Sequence, residues 1–288
     1  MRQLDDFFAS PLDRTLFHYT GIESLVGIDR SSSLWASHIY YLNDAKEITH
    51  ACDILRSAIE PNIVFGGLTT QEKTFAEQFQ AWSQSFYGKR YCLFVFSLSE
   101  ERSQLSQWRS YTPHGRGVSI EFSPDTLRRL AGEQFRLARC VYSPNEQKAI
   151  LSGLFAKLLT TFRNEHPIPG PPNPAGTEYF QFLERFRGEV LQVLALLKHK
   201  AFEEEKEWRL ISEYFPSFAS PIVKFRPGAS LLVPYIEIPI GARRPYFESI
   251  TLGPSQHEEL SFDSLHMFLS NSNLAHVTHN SRIPYREW

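Results

Sequence analysis

The chain has 288 residues, of which 42% are hydrophobic and 22% charged, so it is long enough to bury one large core or two small ones. Its net charge of −2 argues against salt-driven binding along nucleic acid, which needs a clustered basic face, and no apolar run is long enough to span a bilayer. The N-terminus has neither a basic leader nor an apolar signal core, so a cytoplasmic location without a membrane partner is expected.

Cysteine, histidine and aromatic content narrow the chemistry further. Cys52, Cys92 and Cys140 are far apart and odd in number, which predicts core thiols rather than a disulfide framework or a zinc cluster. His276 and His279 form a close pair without a third ligand nearby in sequence, so no metal site is predicted. Aromatic residues make up 14% of the chain, more than a core requires, and they suit stacking on flat rings.

The first sixty residues predict strand, helix, strand and helix in turn. TLFHYT (15–20) and SLWASHIYYL (33–42) have strand character, and GIESLVGI between them has the apolar spacing of a short helix. NDAKEITHACDILRSAI (43–59) predicts a longer helix, in which Asp44 is the N-cap and Glu47 completes a capping box.

The middle of the chain adds strands and then changes character. The pattern predicts strands at 91–99, 116–123 and 135–143, with a short helix at 103–113 that Pro113 ends. Two amphipathic helices are predicted, from Pro144 to about His166 and from Thr177 to about Lys200, separated by a stretch rich in Pro and Gly.

The C-terminal third again favours strands. They are predicted at 207–215, 220–228, 231–240, 247–254 and 276–288, with a helix at 257–272. With strands at both ends and helices mostly in the middle, the chain is predicted to be α+β with a mixed or antiparallel sheet, a single domain over 1–288 with 144–200 as a helical insertion or cap. It contains no G-x-G-x-x-G or P-loop motif, which argues against a Rossmann or Walker nucleotide site.

Several polar residues stand where predicted strands end, which is where sites tend to form. His18, followed by Tyr19 and Thr20, is either a buried, satisfied histidine or part of a site. Asn43 and Asp44 open a predicted helix, and capping by itself explains Asp44 but not the aromatic residues before it.

The segment from Ser97 to Gly117 offers two more candidates. Gln107 and Tyr111 are four apart on a predicted helix and therefore share a face, with Trp108 beside it; the alternative is that Trp108 and Tyr111 are core anchors. Gly115 and Gly117 permit close backbone approach, either for a turn or for a ligand.

The stretch EEEKEWR (203–209) is the most acidic in the chain. One interpretation is a solvated helix end. If a strand begins near Lys206, however, Glu205 and Glu207 point to one face because strand side chains alternate. Two adjacent carboxylates repel unless something positive or hydrogen-bonding lies between them, and a substrate can fill that place.

Three stretches together resemble the bacterial family called domain of unknown function 2971. They are LFHYTGIESLVGIDRSSSLWASHIYYLNDAKE, CLFVFSLSEERSQLSQWRSYTPHGRGVSIEF and KHKAFEEEKEWRLI. The shared pattern has an aromatic-led first strand, an Asn-Asp helix start, a Ser-x-Ser strand end, a Trp-x-x-Tyr helix, and a Lys followed by an acidic E-x-E-x-R strand. The resemblance extends over about residues 14–125 and 198–213, and the family name implies no chemistry.

More distantly, the order of His-Tyr-Thr, short helix, aromatic strand and late E-x-E is similar to the ADP-ribosyltransferase fold. That resemblance implies that NAD is the substrate, that His18 binds one of its riboses, and that Glu205 or Glu207 hydrogen-bonds the ribose 2′-OH and stabilises developing positive charge. It also implies that Tyr40 or Tyr41 stacks on nicotinamide. Expected NAD contacts are Tyr19, Thr20, Tyr40, Tyr41, Asn43, Ser97, Trp108, Tyr111 and Arg209, around catalytic His18, Glu205 and Glu207.

The expected function is therefore NAD-dependent ADP-ribosyl transfer or NAD hydrolysis, in a bacterial toxin or anti-phage effector. The acceptor, whether protein, nucleic acid or water, stays open. A first alternative is a module that binds a nucleotide or single-stranded nucleic acid without turnover, with phosphate contacts from Arg102, Arg109, Arg116, Arg209, Arg243 and Arg244. A second is a structural protein whose 166–176 loop and flanking helices bind a partner or antitoxin protein.

Overall fold

The computed structural model describes residues 5–8, 11–42, 47–87, 92–166, 177–228, 230–241, 244–281 and 283. The strands are β1 (Leu16–Thr20), β2 (Ser33–His38), β3 (Phe94–Ser99), β4 (Val118–Phe122), β5 (Phe135–Arg139), β6 (Glu207–Ser212), β7 (Lys224–Pro227), β8 (Leu232–Pro239), β9 (Phe247–Leu252) and β10 (Ala275–Asn280). The α-helices are α1 (Ile22–Ser31), α2 (Glu47–Phe65), α3 (Thr70–Ser83), α4 (Leu105–Tyr111), α5 (Pro124–Ala131), α6 (Pro144–Glu165), α7 (Phe180–Glu184), α8 (Arg187–Leu194) and α9 (Glu258–Ser272). Short 3-10 helices span Asp5–Phe8, Ile39–Tyr41, Gln84–Tyr87, Pro113–Gly115 and Lys200–Glu205.

These strands form one open sheet that is antiparallel except where β10 runs parallel to β9. The order along it is β10-β9-β4-β1-β3-β2-β8-β7, and β6 joins β3 to β5 at the side. The predicted α+β class with a mixed or antiparallel sheet is confirmed at this level.

The sheet divides at β3, and this division positions the site. One edge of β3 pairs with β6 over its whole length, from Val95 to Ser99. The other edge pairs with β2 only at Phe94 and Val95, and with β1 only at Ser99. The backbone from Phe96 to Leu98 therefore has no strand on that edge, and β1 and β2 diverge around it.

Apolar layers cover both faces of the sheet. On one face, α2, α3, α6, α7 and α8 pack together and against Val95 and Ile211. On the other face, α1, α5 and α9 pack against Phe96 and Leu210. Alternation along β3 and β6 sends successive side chains to opposite layers. Residues 144–200 contribute α6, α7 and α8 to the first layer.

Some local predictions were wrong. The predicted helix from Thr177 to Lys200 is two short helices, α7 and α8, and the Glu184 carboxylate at the end of α7 accepts hydrogen bonds from Trp82 Nε1 (2.8 Å) and Arg187 Nε (2.5 Å). The predicted strand 33–42 ends at His38 and continues as a 3-10 turn. The proposed cap at Asp44 lies outside the described residues. Within those residues, no helix is both long enough and apolar enough to cross a membrane.

Candidate functional site

An open cleft of about 750 Å³ lies where β1 and β2 separate. This volume is within the range of about 300–1,000 Å³ that is usual for small-molecule sites. Its walls come from the end of β1, the first turns of α1, from β2 and β3, and from the segments before β4 and at β7. The lining includes His18, Thr20, Glu23, Trp35, Ser37, Tyr41, Ser97, Tyr111, His114, Arg116 and Arg226.

His18 fills the gap between the diverging strands. Its ring stacks on Phe96 with the centroids 4.2 Å apart, and Nδ1 lies 2.8 Å from the carbonyl oxygen of Ser97. A carbonyl only accepts hydrogen bonds, so Nδ1 carries the proton. Burial, with a contribution from the Arg226 charge, lowers the pKa of His18 to about 4 against the effect of the Ser97 bond. His18 is therefore neutral at pH 7, and its Nε2 is an acceptor.

The wall made by β2 and β7 is rich in hydrogen-bond donors. Arg226 Nη2 donates to Ser37 Oγ at 3.2 Å, while its Nε is buried and has no acceptor among the described residues. The same is true of the indole Nε1 of Trp35. Within the described part of the chain, no carboxylate pairs with Arg226 or with the exposed Arg116 across the cleft, and Glu23 is the one acid in the lining. This wall therefore suits an anionic ligand.

A second cavity of about 30 Å³, here called the inner cavity, adjoins the cleft. His18, Tyr19, Ser97 and Tyr111 line both spaces. The inner cavity is otherwise lined by Phe17, Leu98, Gln107, Glu205 and Glu207. Gln107 and Tyr111 do share one face of α4, as their spacing predicted, and the cavity has room for little more than a water molecule.

Behind the inner cavity lies a buried group of five charged residues, here called the ion network: Glu47, Lys198, Glu205, Glu207 and Arg209. Lys198 Nζ contacts Glu205 and lies 2.6 Å from Glu207 Oε2. Arg209 binds Glu207 through Nε and Nη2 (2.8 and 2.9 Å), Glu47 through Nη2 (2.8 Å), and the Ala195 carbonyl through Nη1 (2.7 Å). Each charged group thus contacts a group of opposite charge within the protein.

The pKa values show how the ion network distributes its charge. Burial alone would raise the pKa of Glu207, but Arg209 and Lys198 outweigh it and lower that pKa to about 2. Burial raises the pKa of Glu47 despite Arg209, and its Oε2 is buried without a described partner. The ion network has three carboxyl groups and only two cations, so it is neutral when Glu47 carries a proton.

Tyr111 connects the ion network to the cleft. Its hydroxyl lies 3.1 and 3.0 Å from the two carboxylate oxygens of Glu205 and donates to them. Burial and the nearby glutamates raise the pKa of Tyr111, although Lys198 opposes them, so the hydroxyl keeps its proton. Glu205 therefore accepts from Tyr111 and Lys198, whereas Glu207 is enclosed between Lys198 and Arg209.

The group between the two predicted carboxylates is Lys198. The expectation that a positive group separates them holds, but that group comes from the chain itself and not from a substrate. The local backbone also differs from the prediction: β6 begins at Glu207, Glu205 ends a 3-10 turn, and Lys206 is left-handed with φ of 44°. Glu203 and Glu204 are exposed, as the solvated interpretation predicted.

Other predicted NAD contacts lie apart from the cleft. The Tyr40 hydroxyl donates to the Phe86 carbonyl (2.6 Å), and its ring packs against the helical layer. Trp108 is fully buried against Tyr19, as its alternative role of core anchor predicted. Arg209 belongs to the ion network, because its guanidinium is used by acids and a carbonyl there. Asn43 lies outside the described residues.

Sequence reasoning missed Arg226, Lys198 and Glu47. Ser37, the partner of Arg226, is 189 residues away, so no local pattern could reveal the contact. Lys198 is seven and nine residues before the glutamates it binds, a spacing that belongs to no regular element. At Gly117 the requirement is tight packing, because a Cβ there would lie 2.3 Å from the Thr20 carbonyl oxygen.

The three cysteines line neither the cleft nor the inner cavity. Cys52, Cys92 and Cys140 are buried free thiols, as predicted. Burial raises the pKa of Cys52 to about 12 and keeps that thiol protonated. Among the described residues no group of three or more His, Cys, Asp or Glu side chains is placed to hold a metal ion.

Comparison with known proteins supports one of the two resemblances. Residues 107–210 match the model of a family described as protein of unknown function (DUF2971), which confirms the first resemblance over that range. The matched range holds Tyr111, Lys198, Glu205, Glu207 and Arg209, but not β1, β2 or β7. Searches of curated proteins and of solved structures returned no significant match.

Proposed function

We propose that the cleft binds NAD and that the chain breaks the bond between its nicotinamide and ribose, as an ADP-ribosyltransferase or NAD glycohydrolase. The observation that carries the proposal is the convergence of His18, Tyr111, Glu205 and Glu207 on the inner cavity, beside a cleft large enough for a nucleotide. In a bacterium, the expected role of such an activity is that of a toxin or an anti-phage effector.

The chemistry needs a carboxylate next to the ribose. When the C–N bond breaks, its electron pair leaves with nicotinamide, and the ribose carbon becomes positively charged in the manner of an oxocarbenium ion. A fixed carboxylate stabilises that charge more in the transition state than in the substrate. An acceptor oxygen or nitrogen then bonds to the ribose carbon and loses a proton.

Glu205 is the better candidate for that carboxylate. Glu207 is bound by both Lys198 and Arg209, so its charge is already neutralised. Glu205 is held by Lys198 and by Tyr111, which also lines the cleft. We assign Glu205 to the ribose and Glu207 to positioning, since Glu207 fixes the Lys198 ammonium that Glu205 contacts.

The cleft residues account for binding. Neutral His18 has Nε2 as an acceptor, so it would accept a hydrogen bond from a ribose hydroxyl rather than donate one. Tyr41, which is 42% exposed, and Trp35 line the cleft and present aromatic surface for stacking on a flat ring. Tyr40 does not line it, which leaves Tyr41 as the stacking tyrosine.

The test is incubation of the purified chain with NAD, with and without cell lysate as a source of acceptor, followed by chromatography of released nicotinamide. Glu205→Gln should slow release by at least about a hundredfold, by analogy with the removal of other transition-state stabilising groups. Glu203→Gln, which removes an exposed acid two residues away, should leave the rate unchanged. Equal rates for the parent and Glu205→Gln would remove Glu205 from the mechanism.

One observation favours a second function, nucleotide binding without turnover. Every carboxylate in the ion network has a cationic partner, so none is held free for a substrate. This candidate predicts saturable binding of NAD to the parent chain and no nicotinamide release under any condition.

A further inference from the structure

We infer that Arg226, with Ser37 and Trp35, forms a phosphate-binding subsite in the cleft that holds the pyrophosphate of a dinucleotide. The inference deepens the proposed function, because it names the part of NAD that this wall recognises. It rests on three groups of β2 and β7, two strands that β8 separates in the sheet and whose side chains meet in the cleft.

The Arg226 side chain carries its charge in a partly buried position. The guanidinium is partly buried, and burial lowers its pKa, yet it stays charged because an arginine does not lose its proton in a protein. Its one hydrogen bond in the described structure goes to the neutral Ser37 hydroxyl. Two more deeply buried arginines differ from it: Arg209 binds two carboxylates and Arg187 binds Glu184.

The cleft wall also contains hydrogen-bond donors that no described residue satisfies. Arg226 Nε and Trp35 Nε1 are both buried, and neither has an acceptor among the described residues. A buried donor without an acceptor destabilises the folded chain, and a ligand that supplies an acceptor removes that cost. Both side chains line the same cleft, so a ligand rich in acceptor oxygens would satisfy both.

The geometry and charge of these donors indicate which class of ligand the subsite binds. Phosphate oxygens suit the planar fork of a guanidinium, which donates two parallel hydrogen bonds to them. Arg226 and His18 line the same cleft, so the subsite lies in the space that also holds the position given to a ribose. Arg116, which has no carboxylate partner among the described residues, adds a second cation on another wall, and two phosphates bring two negative charges. A pyrophosphate between two nucleosides fits this arrangement.

The experiment is isothermal titration calorimetry with ADP-ribose, inorganic pyrophosphate and nicotinamide riboside, which lacks phosphate. The chains are the parent, Arg226→Gln, Arg226→Lys and Arg129→Gln; Arg129 is exposed on α5 and does not line the cleft. Arg226→Gln should weaken ADP-ribose and pyrophosphate at least about tenfold, because a charged hydrogen bond is lost. Arg226→Lys should recover part of that affinity, and riboside binding should not change.

Three results would overturn the subsite: no binding of phosphate ligands by the parent, equal affinities for the parent and Arg226→Gln, or an equal loss for nicotinamide riboside. Near-ultraviolet circular dichroism of each variant checks that the fold is retained. The outcome is separable from the proposed function. Phosphate-dependent binding without nicotinamide release would leave the subsite intact and end the enzyme proposal, while release with a KM unaffected by Arg226→Gln would do the reverse.

Discussion

The ion network and the β2–β7 wall of the cleft are two charged regions close to His18, and they treat charge in opposite ways. In the ion network Lys198 and Arg209 are each bound to two carboxylates, and all five members are nearly inaccessible. On the cleft wall the one hydrogen-bond partner of Arg226 among the described residues is the neutral hydroxyl of Ser37. The first arrangement is complete without a ligand, and the second is not.

This difference indicates how stability and binding are divided. A buried charge that loses its partner is strongly destabilising, so substitutions in the ion network should act on folding. A cation without a carboxylate partner contributes little to folding, so substitutions of Arg226 should change the affinity for ligands rather than the stability of the fold. Tyr111 belongs to both regions, because its hydroxyl binds Glu205 and its side chain lines the cleft.

The largest effect is expected for Arg209→Met. The change leaves Glu207 with much of its charge unpaired in the core and removes the hydrogen-bond donor to Glu47, so the free energy of unfolding should fall by about 3–5 kcal/mol. Urea denaturation followed by fluorescence measures it, with exposed Arg129→Met as the matched control. A loss below about 1 kcal/mol would mean that the buried ion pairs of the ion network do not stabilise the fold as described.

Acid should weaken the parent chain in a defined window. The pKa of Glu207 is lowered from 4.5 to about 2 in the folded chain, so its stabilisation is complete above about pH 4.5 and is lost as the pH falls toward 2. One such group contributes at most about 1.4 kcal/mol per pH unit. The pKa of Glu47 is raised in the folded chain, so the stability that Glu47 contributes is instead lost as the pH rises above 4.5.

The measurement is the free energy of unfolding at a series of pH values from 5 to 3, for the parent and for Glu207→Gln. The variant should be less stable at pH 5 and should depend less on pH through this window. Parallel curves would show that Glu207 titrates normally in the folded state.

A smaller effect is expected for Tyr111→Phe. The substitution removes the hydroxyl that donates to Glu205, and such a hydrogen bond to a charged group contributes about 1.5–3 kcal/mol. We expect the lower end of that range, since Lys198 still holds Glu205. Tyr41→Phe, in the exposed part of the same cleft, should change stability by less than about 0.5 kcal/mol. If the two variants unfold alike, the link between Tyr111 and Glu205 has no energetic weight.

The smallest effect on folding is expected for Arg226→Gln. Because Arg226 has no carboxylate partner among the described residues, its loss should change the free energy of unfolding by no more than about 0.5 kcal/mol in either direction. Thermal and urea unfolding check this. Destabilisation comparable to that of Arg209→Met would mean that Arg226 is a structural cation, and the contrast between the two regions would fail.

Sequence patterns predicted the elements better than their partners. The alternation in LFHYT and the apolar spacing of α9 depend on neighbouring residues, so both were predicted near their observed bounds. The helix α3 was not predicted, although Thr69 and Glu72 form a complete capping box at its start. His18, Tyr111 and the two glutamates, which strand and helix ends marked in the sequence, all line the inner cavity, and their role as a site stays a prediction.

What the sequence could not predict is which distant charges meet. Glu47 and Arg209 are 162 residues apart, and Ser37 and Arg226 are 189 apart. The second contact follows from the strand order β2-β8-β7, and the first from the packing of α2 on the face of the sheet that carries Ile211 of β6. The same charged residue types therefore look alike in the sequence, although some complete an internal network and others, such as Arg226, have no carboxylate partner among the described residues.

The most direct test of this account measures NAD affinity and nicotinamide release together in the parent, Glu205→Gln and Arg226→Gln. The account predicts that Glu205→Gln binds NAD with nearly the parent affinity and releases almost no nicotinamide. It also predicts that Arg226→Gln binds at least about tenfold more weakly while retaining release at saturating NAD. Loss of binding and release in equal measure in both variants, or in neither, would contradict the division between an acid for chemistry and a cation for binding.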